Sequence, residues 1–216
     1  MCKLIVRRST APRWTTFTER RQLADDLSEL GDSATAGGLS GRARVLFTGY
    51  DVLTVLDALA GEDIRPWVHG GWGVDALLGE QTRDHDDLDL VAQVADVPHI
   101  RTILAKRGFT LVRGEPHTNF VLVDDDGRQI DFHPVSWDGH GNAVYVNEHG
   151  QKWTLRPADL TGIGSVLGRR VQCLTPEIEM ASHSGYDLQD DDLHDIEALH
   201  QRFGVEYPTG YPPGRR

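Results

Sequence analysis

The sequence predicts an α/β (α+β) protein, in which a small mixed β-sheet with helices precedes a helical C-terminal subdomain. Short apolar runs with alternating polarity recur between residues 64 and 135, and segments with helical spacing of apolar residues separate them. Residues 175–188 and 190–204 show helical spacing as well. With 216 residues, 39% of them hydrophobic, the chain suits one globular domain or one domain with a small second lobe.

The composition excludes several classes of protein. Cys2 and Cys173 lie far apart without a C-x-x-C pattern, so neither a disulfide framework nor a thiolate zinc site is expected. A formal net charge of −11 argues against nucleic acid and suits a cationic small substrate or a bound metal. Because the first ten residues lack a signal-peptide core and no apolar run has the length of a membrane span, we expect a cytoplasmic protein without a membrane partner.

Four segments are predicted along the chain. Residues 1–43 form an N-terminal appendage and linker, where Thr16 and Glu19 offer a capping box before a leucine-lined helix and no chemistry is expected. The core follows at residues 44–150. A mainly helical substrate-side subdomain occupies 151–206, and 207–216 is a flexible tail.

Capping and spacing signals define the core elements in order. A helix capped by Asp51 ends at Gly61, and the strand in IRPWVH runs into a glycine turn that opens a second helix near Trp72. The strand LDLVAQV precedes a third helix, which Asp96 caps and Gly108 follows. The strand FTLVRG and a hairpin, in which DDDG joins two alternating runs, complete the sheet.

Two helices are predicted after residue 174. Thr175 with Pro176 begins the first, and the second carries an apolar stripe formed by Leu193, Ile196, Leu199 and Phe203. His183, Tyr186 and Asp192 belong to this part, which would face the sheet across a cleft. Such an acidic, aromatic wall suits an amino sugar with several ammonium groups, although an acidic run is also an ordinary helix N-terminus.

Three aspartates form the candidate metal site. Asp87 and Asp89 leave the same face of a strand, because they are two residues apart, while Leu88 and Leu90 enter the core. Asp131 has a similar position in the strand RQIDFHPV, so the three carboxylates converge if the strands are neighbours. Carboxylates in this arrangement suit Mg²⁺, and two such ions can orient a nucleoside triphosphate for an in-line displacement.

The glycine turn provides the complementary part of the site. Gly70 and Gly71 have no side chains, so their backbone amides can approach phosphate oxygens at the N-terminus of the following helix. Arg83 can pair with phosphate in a bidentate manner, or it can be an internal salt-bridge partner among the aspartates. His85 is expected to support the loop by hydrogen bonding, and Asp75 to cap the helix or hold the loop.

The string GGWGVDALLGEQTRDHDDLDL resembles the DNA-polymerase-β-type nucleotidyltransferase superfamily. Within it, the pattern G-G-W, Asp, then T-R-x-H-x-D-x-D is similar to the antibiotic-modifying branch of aminoglycoside 2''-adenylyltransferases and lincosamide nucleotidyltransferases. The matching positions are Gly70, Gly71, Trp72, Asp75, Thr82, Arg83, His85, Asp87 and Asp89. The resemblance extends over about residues 52–203 and leaves the N-terminal segment unexplained.

This resemblance implies specific roles. Asp87 and Asp89 would bind Mg²⁺, Gly70 and Gly71 would line the triphosphate site, and Asp131 would be a third ligand or the base that takes the acceptor's proton. The expected reaction is the Mg²⁺-dependent transfer of a nucleoside monophosphate, AMP from ATP, onto a hydroxyl of a small antibiotic. The net acidity favours an aminoglycoside over a lincosamide, and the enzyme is expected to be a monomer or a homodimer.

Two other classes of function remain as alternatives. The dipeptides His85-Asp86 and His194-Asp195 allow a His/Asp metal phosphohydrolase, although the first leads into a strand pattern. A non-catalytic module, either a nucleotide sensor or a nucleotidyltransferase-like partner of a toxin pair, is the other alternative. Three intact carboxylates argue against a catalytically dead site.

Overall fold

The structure is a computed structural model that describes residues 45–147, 150–208 and 211. The predicted N-terminal helix and most of the predicted tail lie outside these residues. In the described part, the elements follow one another as α1 (Gly49–Ala60), β1 (Trp67–His69), α2 (Gly70–Leu78), β2 (Asp87–Gln93), α3 (Val97–Ala105), β3 (Thr110–Gly114), β4 (Phe120–Val123), β5 (Gln129–Trp137), β6 (Ala143–Val146), β7 (Lys152–Leu155), β8 (Gly162–Val166), β9 (Arg169–Cys173), α4 (Pro176–Ser182) and α5 (Asp190–Phe203).

One mixed sheet contains all of these strands. Its order is β3-β4-β5-β2-β1-β9-β8, with β6 paired to β5 and β7 paired to β6. The pairs β2–β5 and β1–β9 are parallel, and the other pairs are antiparallel. The predicted mixed sheet, with its hairpin between β4 and β5, is therefore confirmed.

The two faces of the sheet have different roles because side chains alternate along each strand. Leu88 and Leu90 of β2, together with Phe132 of β5, are fully buried in the main core, where they meet apolar residues of α1 and α3. The opposite face carries Asp87, Asp89 and Asp131 at one end. Farther along, the same face is covered by a second core that includes Val91, Val135, Tyr145 and Trp153.

The C-terminal helices pack on α2, and α4 also contacts the second core through Ile178. Val74 of α2, Met180 of α4 and Ile196 of α5 belong to a third buried cluster. Of the predicted stripe on α5, Ile196 and Leu199 are fully buried, whereas Phe203 is 37% exposed. Because the stripe turns away from α2 at its end, the last turn of α5 contributes less to this core.

The helix starts differ from the predictions. Asp51 is not the cap of α1: Thr48 is, and Asp51 occupies the third helical position, where its carboxylate accepts a hydrogen bond from the Thr48 amide at 2.8 Å. The helix α2 begins at Gly70 and not near Trp72, and Asp96 makes no side-chain capping bond. The reciprocal capping box explains the first difference, because Thr48 and Asp51 satisfy each other's backbone amides.

The structure adds four strands that the sequence did not indicate, β6 to β9. The strands β7, β8 and β9 lie within the segment predicted to be mainly helical, whose α-helices are confined to α4 and α5. Gly162 and Gly164 interrupt the apolar alternation of β8, and Gly164 is needed there because a Cβ atom would overlap the backbone of Ala76 in α2. Among the described residues, no helix is both long enough and apolar enough to cross a membrane.

Candidate active site

The carboxylate row, formed by Asp87, Asp89 and Asp131, lies where the parallel strands β2 and β5 run side by side. Asp89 of β2 is the register partner of Asp131 of β5, and Asp87 is the partner of Gln129. Asp89 is 2% exposed and Asp131 is 6% exposed, whereas Asp87 is partly accessible. The condition on which the convergence of the carboxylates depended is met, because β2 and β5 are neighbours, and the topology places the three aspartates at one end of one face.

Polar neighbours hold two of these carboxylates. The ring of His133, two residues after Asp131 on the same strand face, places Nε2 3.1 Å from Oδ1 of Asp89. Gln129 donates a hydrogen bond from its side-chain amide to Oδ1 of Asp131 at 2.8 Å. His133 was not among the residues predicted from the sequence. Its spacing of two from Asp131 is the signal that places it on this face.

These residues fit a magnesium site by their chemistry. In residues 45–147, 150–208 and 211, no three His, Cys, Asp or Glu side chains already converge at ligating distances. Mg²⁺ prefers carboxylate oxygens and keeps several waters, so adjacent aspartates with one accessible member supply the donors that it needs. Gly70 leaves room for the carboxylate of Asp89, because a Cβ atom at this position would overlap it.

The glycine turn is surrounded by charged side chains. Gly70 has a φ of 65°, which L-residues with side chains rarely adopt. A Cβ atom on Gly71 would overlap Arg83 and His85, and one on Gly73 would overlap the carboxyl group of Glu179. Each glycine of this turn therefore makes room for a different polar side chain.

Glu179 of α4 is the main residue that the sequence analysis missed. It is fully buried, and its Oε2 atom lies 2.8 Å from Nδ1 of His69 and accepts a hydrogen bond from the Gly70 amide at 3.2 Å. Burial raises the pKa of the Glu179 carboxyl group, while the neighbouring His69 opposes the shift. The Gly70 amide, predicted to line a triphosphate site, therefore donates to Glu179 in this structure.

Arg83 forms an internal ion pair with α5. Its Nε and Nη2 atoms donate to the two carboxylate oxygens of Asp195 at 2.9 and 2.7 Å, and Nη1 donates to the Asp84 carbonyl at 3.1 Å. Burial alone would lower the pKa of the Arg83 guanidinium, but its bonds to Asp195 reverse the effect and raise it. Of the two predicted roles, the structure shows the internal salt bridge, with the guanidinium against Gly71.

A second set of hydrogen-bonded side chains fixes the loop between α2 and β2. Nε2 of His85 lies 2.5 Å from one oxygen of the buried Asp75, and Thr82 donates to the other at 2.6 Å. The indole ring of Trp72 lies over His85, with ring centroids 4.5 Å apart. His85 thus supports the loop as predicted, and this pairing gives it a structural partner that the phosphohydrolase hypothesis did not include.

The three residues predicted to bind the antibiotic substrate lie together where α4 meets α5. Tyr186 donates to Oδ1 of Asp192 at 2.8 Å, and His183 places its ring nitrogens 3.9 Å from carboxylate oxygens of Asp192 and Asp195. Burial lowers the pKa of His183, although both aspartates oppose the shift. Asp192 also accepts a hydrogen bond from the Gln189 amide at 2.8 Å, so part of its role is to cap α5.

Two cavities lie away from the carboxylate row. One of about 220 Å³ lies between α2 and the β8–β9 hairpin and includes Trp72 and Ser165 in its wall. The other, of about 570 Å³, is an open groove along α5 lined by Asp190, His194 and Glu197 among others. None of the three aspartates lines either of these two cavities.

Neighbouring strands with three facing aspartates, beside a glycine turn that opens a helix, define the class of protein: the fold is that of a nucleotidyltransferase. The chain belongs to the aminoglycoside-2''-adenylyltransferase family, whose sequence model matches residues 51–199. Together with its relatives, this membership makes the protein an antibiotic nucleotidyltransferase. The resemblance stated from the motif is therefore confirmed.

Two relatives represent the two branches of antibiotic-modifying proteins. A lincosamide resistance protein of Staphylococcus haemolyticus is 28% identical over 155 residues, which cover 70% of this chain and 94% of the relative. A 2''-aminoglycoside nucleotidyltransferase of Escherichia coli is 47% identical over 119 residues, which cover 55% of this chain and 63% of the relative. The second match is closer in sequence but spans less than two thirds of that relative.

Solved structures show the same fold. The lincomycin-bound lincosamide antibiotic adenylyltransferase LnuA has a TM-score of 0.64 and 26% identity, covering 70% of this chain and 96% of that chain. The complex of ANT(2'')-Ia with adenylyl-2''-tobramycin has a TM-score of 0.57 and 20% identity, covering 71% and 87%. The nucleotidyltransferase fold thus extends across both branches.

Proposed function

We propose that this enzyme transfers AMP from ATP onto a hydroxyl group of an aminoglycoside, with two Mg²⁺ ions at the carboxylate row. The observation that carries the proposal is the register of β2 and β5, which sets Asp89 opposite Asp131 beside the glycine turn. Bound Mg²⁺ would neutralise the negative charge of the triphosphate and of the leaving pyrophosphate. The natural place for such a reaction is the cytoplasm, where ATP is available.

The chain's own residues have distinct tasks in this reaction. Asp87 and Asp89 hold the metal ions, and the Gly71 amide donates to a phosphate oxygen at the start of α2. The acceptor hydroxyl oxygen bonds to the α-phosphorus while the bond to the β-phosphate oxygen breaks, and pyrophosphate leaves with that electron pair. The hydroxyl proton passes to a base. Asp131 is either that base or a third metal ligand.

Arg83 contributes to nucleotide binding through position and charge. Its guanidinium lies against Gly71 and is anchored by Asp195, so it adds a fixed positive charge close to the turn. A permanently charged and held arginine stabilises phosphate without first losing side-chain freedom. Arg83 therefore serves the nucleotide from the Gly71 side of the turn, whereas the metal-binding Asp89 lies against Gly70.

The acceptor is proposed to bind near His183, Tyr186 and Asp192. These side chains, with the net charge of −11, form surroundings that attract the ammonium groups of an aminoglycoside. The 47% identity to a 2''-aminoglycoside nucleotidyltransferase supports this choice. A lincosamide is the second candidate, because the fold matches a lincomycin-bound adenylyltransferase over 96% of that chain.

Mass spectrometry of an antibiotic panel tests the proposal. The protein is incubated with Mg²⁺, ATP, several aminoglycosides and several lincosamides, in parallel with Asp89→Asn and with Asp84→Asn as a control that removes an exposed aspartate of the same loop. We expect one AMP added to an aminoglycoside by the wild type and by Asp84→Asn, and at least a hundredfold less by Asp89→Asn, about 2.7 kcal/mol in activation free energy.

Other results have clear meanings. An adduct on a lincosamide alone reverses the order of the two acceptors. ATP binding without an adduct on any drug contradicts the catalytic proposal and favours a sensing role. Free phosphate released without an acceptor would instead support the phosphohydrolase hypothesis.

A further inference from the structure

The helix α4 lies directly behind the glycine turn, and one of its side chains reaches the turn backbone. Glu179 has no exposed surface, and its Oε2 atom contacts both His69 Nδ1 at 2.8 Å and the Gly70 amide at 3.2 Å. A fully buried carboxyl group needs such partners, because burial without hydrogen bonds leaves its oxygens with nothing in place of the water that they lose. The position of the turn and that of α4 are therefore set together.

The other oxygen of the same carboxyl group adds a third point of contact. Oε1 has no hydrogen-bond partner in the described part of the chain, and it lies against Gly73, where a Cβ atom would overlap it. The carboxyl group thus meets the cap residue His69, the first helical residue Gly70, and Gly73 one turn later. These contacts fix where the first turn of α2 points.

On its opposite side, the turn is held by Arg83 and His85, which lie where a Cβ atom of Gly71 would be. Gly71 is thus held between α4 behind it and the loop in front of it. Its amide is the donor that remains for a phosphate oxygen, since the Gly70 amide is used by Glu179. A shift of α4 relative to the turn would misdirect this amide.

We propose that Glu179 is a positioning residue for nucleotide binding, whose carboxyl group holds the glycine turn so that the Gly71 amide faces the triphosphate. The proposal rests on the proposed function, because it assigns the triphosphate to this turn. The length of the side chain matters here, rather than its charge, because the hydrogen bonds need an acceptor oxygen at the end of a side chain of this length. Glutamine retains that oxygen, whereas aspartate is one methylene too short.

The test measures nucleotide binding in three variants, Glu179→Gln, Glu179→Asp and Glu179→Ala. Isothermal titration calorimetry with Mg²⁺ and a non-hydrolysable ATP analogue gives the Kd without any acceptor, and steady-state kinetics gives the KM values for ATP and acceptor separately. Glu177→Ala is the matched control, because it removes an exposed carboxylate from the same helix. Thermal unfolding of each protein shows that it is folded.

We expect Glu179→Gln and Glu177→Ala to bind the analogue within about threefold of the wild type, and Glu179→Asp to bind at least about tenfold more weakly. The acceptor KM should change less than about twofold in all folded variants. Glu179→Ala should resemble Glu179→Asp. If Glu179→Ala does not fold, the Kd values of Glu179→Gln and Glu179→Asp still test the proposal.

Two outcomes would overturn the inference. In one, Glu179→Asp lowers the melting temperature but leaves the Kd for the analogue unchanged, which shows a structural role alone. In the other, aspartate retains nucleotide binding and glutamine loses it, which shows that charge matters and reach does not. Failure of the proposed function is seen separately, as a wild type that binds no analogue or transfers no AMP.

Discussion

At the residue scale, three glycines at the start of α2 make room for polar side chains. Gly70 accommodates the carboxylate of Asp89, Gly71 accommodates Arg83 and His85, and Gly73 accommodates Glu179. The turn was expected to be glycine-rich so that phosphate can approach it. The structure adds a second reason, because the protein's own charged groups need the same space.

Gly71→Ala tests this second reason. We expect kcat/KM for AMP transfer to fall about a hundredfold, because the new methyl group displaces Arg83 and His85 and shifts the turn by a fraction of an ångström. Initial rates with ATP and a cognate aminoglycoside measure the effect. Gly139→Ala is the control, since nothing lies within 4 Å of its added Cβ atom. A Gly71→Ala enzyme with wild-type kcat/KM would show that the space is not needed.

The site residues differ in how far the sequence predicts them. Asp87 and Asp89 follow from a spacing of two on one strand, and Asp131 from the same pattern on another. Glu179 has no such local signal, because its partners His69 and Gly70 lie about 110 residues earlier in the chain, with separations of 110 and 109. Contacts across such distances depend on how α4 packs, and the spacing of polar and apolar residues along the sequence does not indicate this packing.

At the element scale, a buried ion pair between Asp195 and Arg83 connects α5 to the nucleotide side of the molecule. Asp195 is 1% exposed and binds both Nε and Nη2 of Arg83, so the α5 helix and the loop before β2 are held together. From the sequence, a salt bridge of Arg83 was expected with the aspartates beside it. The partner is Asp195 instead, which the local sequence could not indicate because it lies 112 residues away on another element.

Asp195→Ala should destabilise the fold by about 3 kcal/mol, because it leaves a largely buried guanidinium without its partner. Urea unfolding at pH 7.5 measures the change. The double variant Arg83→Met with Asp195→Leu should lose clearly less than the sum of the single changes. Asp191→Ala is the comparison: this carboxylate is 50% exposed and 3.7 Å from Arg83, so its loss should cost less than about 1 kcal/mol.

The junction of α4 and α5 should make the protein sensitive to acid. Burial lowers the pKa of His183, with His69 and Arg83 adding to the shift and Asp195 and Asp192 opposing it. The unfolded chain then binds more protons than the folded one once the pH falls below about 6.5, the ordinary histidine value. The stability from this group is complete above that pH and is lost as the pH decreases.

Unfolding free energies at pH 7.5, 6.5 and 5.5 check this expectation. The wild type should lose up to about 1.4 kcal/mol per pH unit from this group between pH 6.5 and 5.5, and His183→Gln should lose correspondingly less. His99→Gln, which changes an exposed histidine of α3, should keep the wild-type pH dependence. Parallel curves for the wild type and His183→Gln would show that His183 is not the source.

At the scale of the whole molecule, the sheet order creates the site. The central neighbours β5, β2 and β1 bring Asp131, Asp89 and His69 into one row, although these residues come from three separate parts of the sequence. The order of the first elements was predictable from their periodicity. The four added strands, β6 to β9, were not, and in β8 two glycines interrupt the apolar alternation that would have indicated a strand.

The family match begins at residue 51, and the described structure begins at Val45. We therefore expect a chain shortened by residues 1–43 to keep kcat/KM within about twofold of the full chain, with a melting temperature within about 4 °C, which corresponds to roughly 1–2 kcal/mol or less for a domain of this size. Kinetics and calorimetry on both chains test the prediction that the appendage carries no chemistry. A large loss of activity would assign it a part in the site.

The position of α5 has a thermodynamic consequence. This one helix carries Asp192, proposed to meet the acceptor, and Asp195, which anchors Arg83 against the nucleotide turn. Any displacement of α5 by one ligand changes the free energy of binding the other, and linkage requires the two effects to be equal in size. A drug that moves α5 toward the arrangement that ATP prefers would stabilise the ternary complex by this shared coupling free energy, and a drug that moves α5 away from it would destabilise that complex by the same measure.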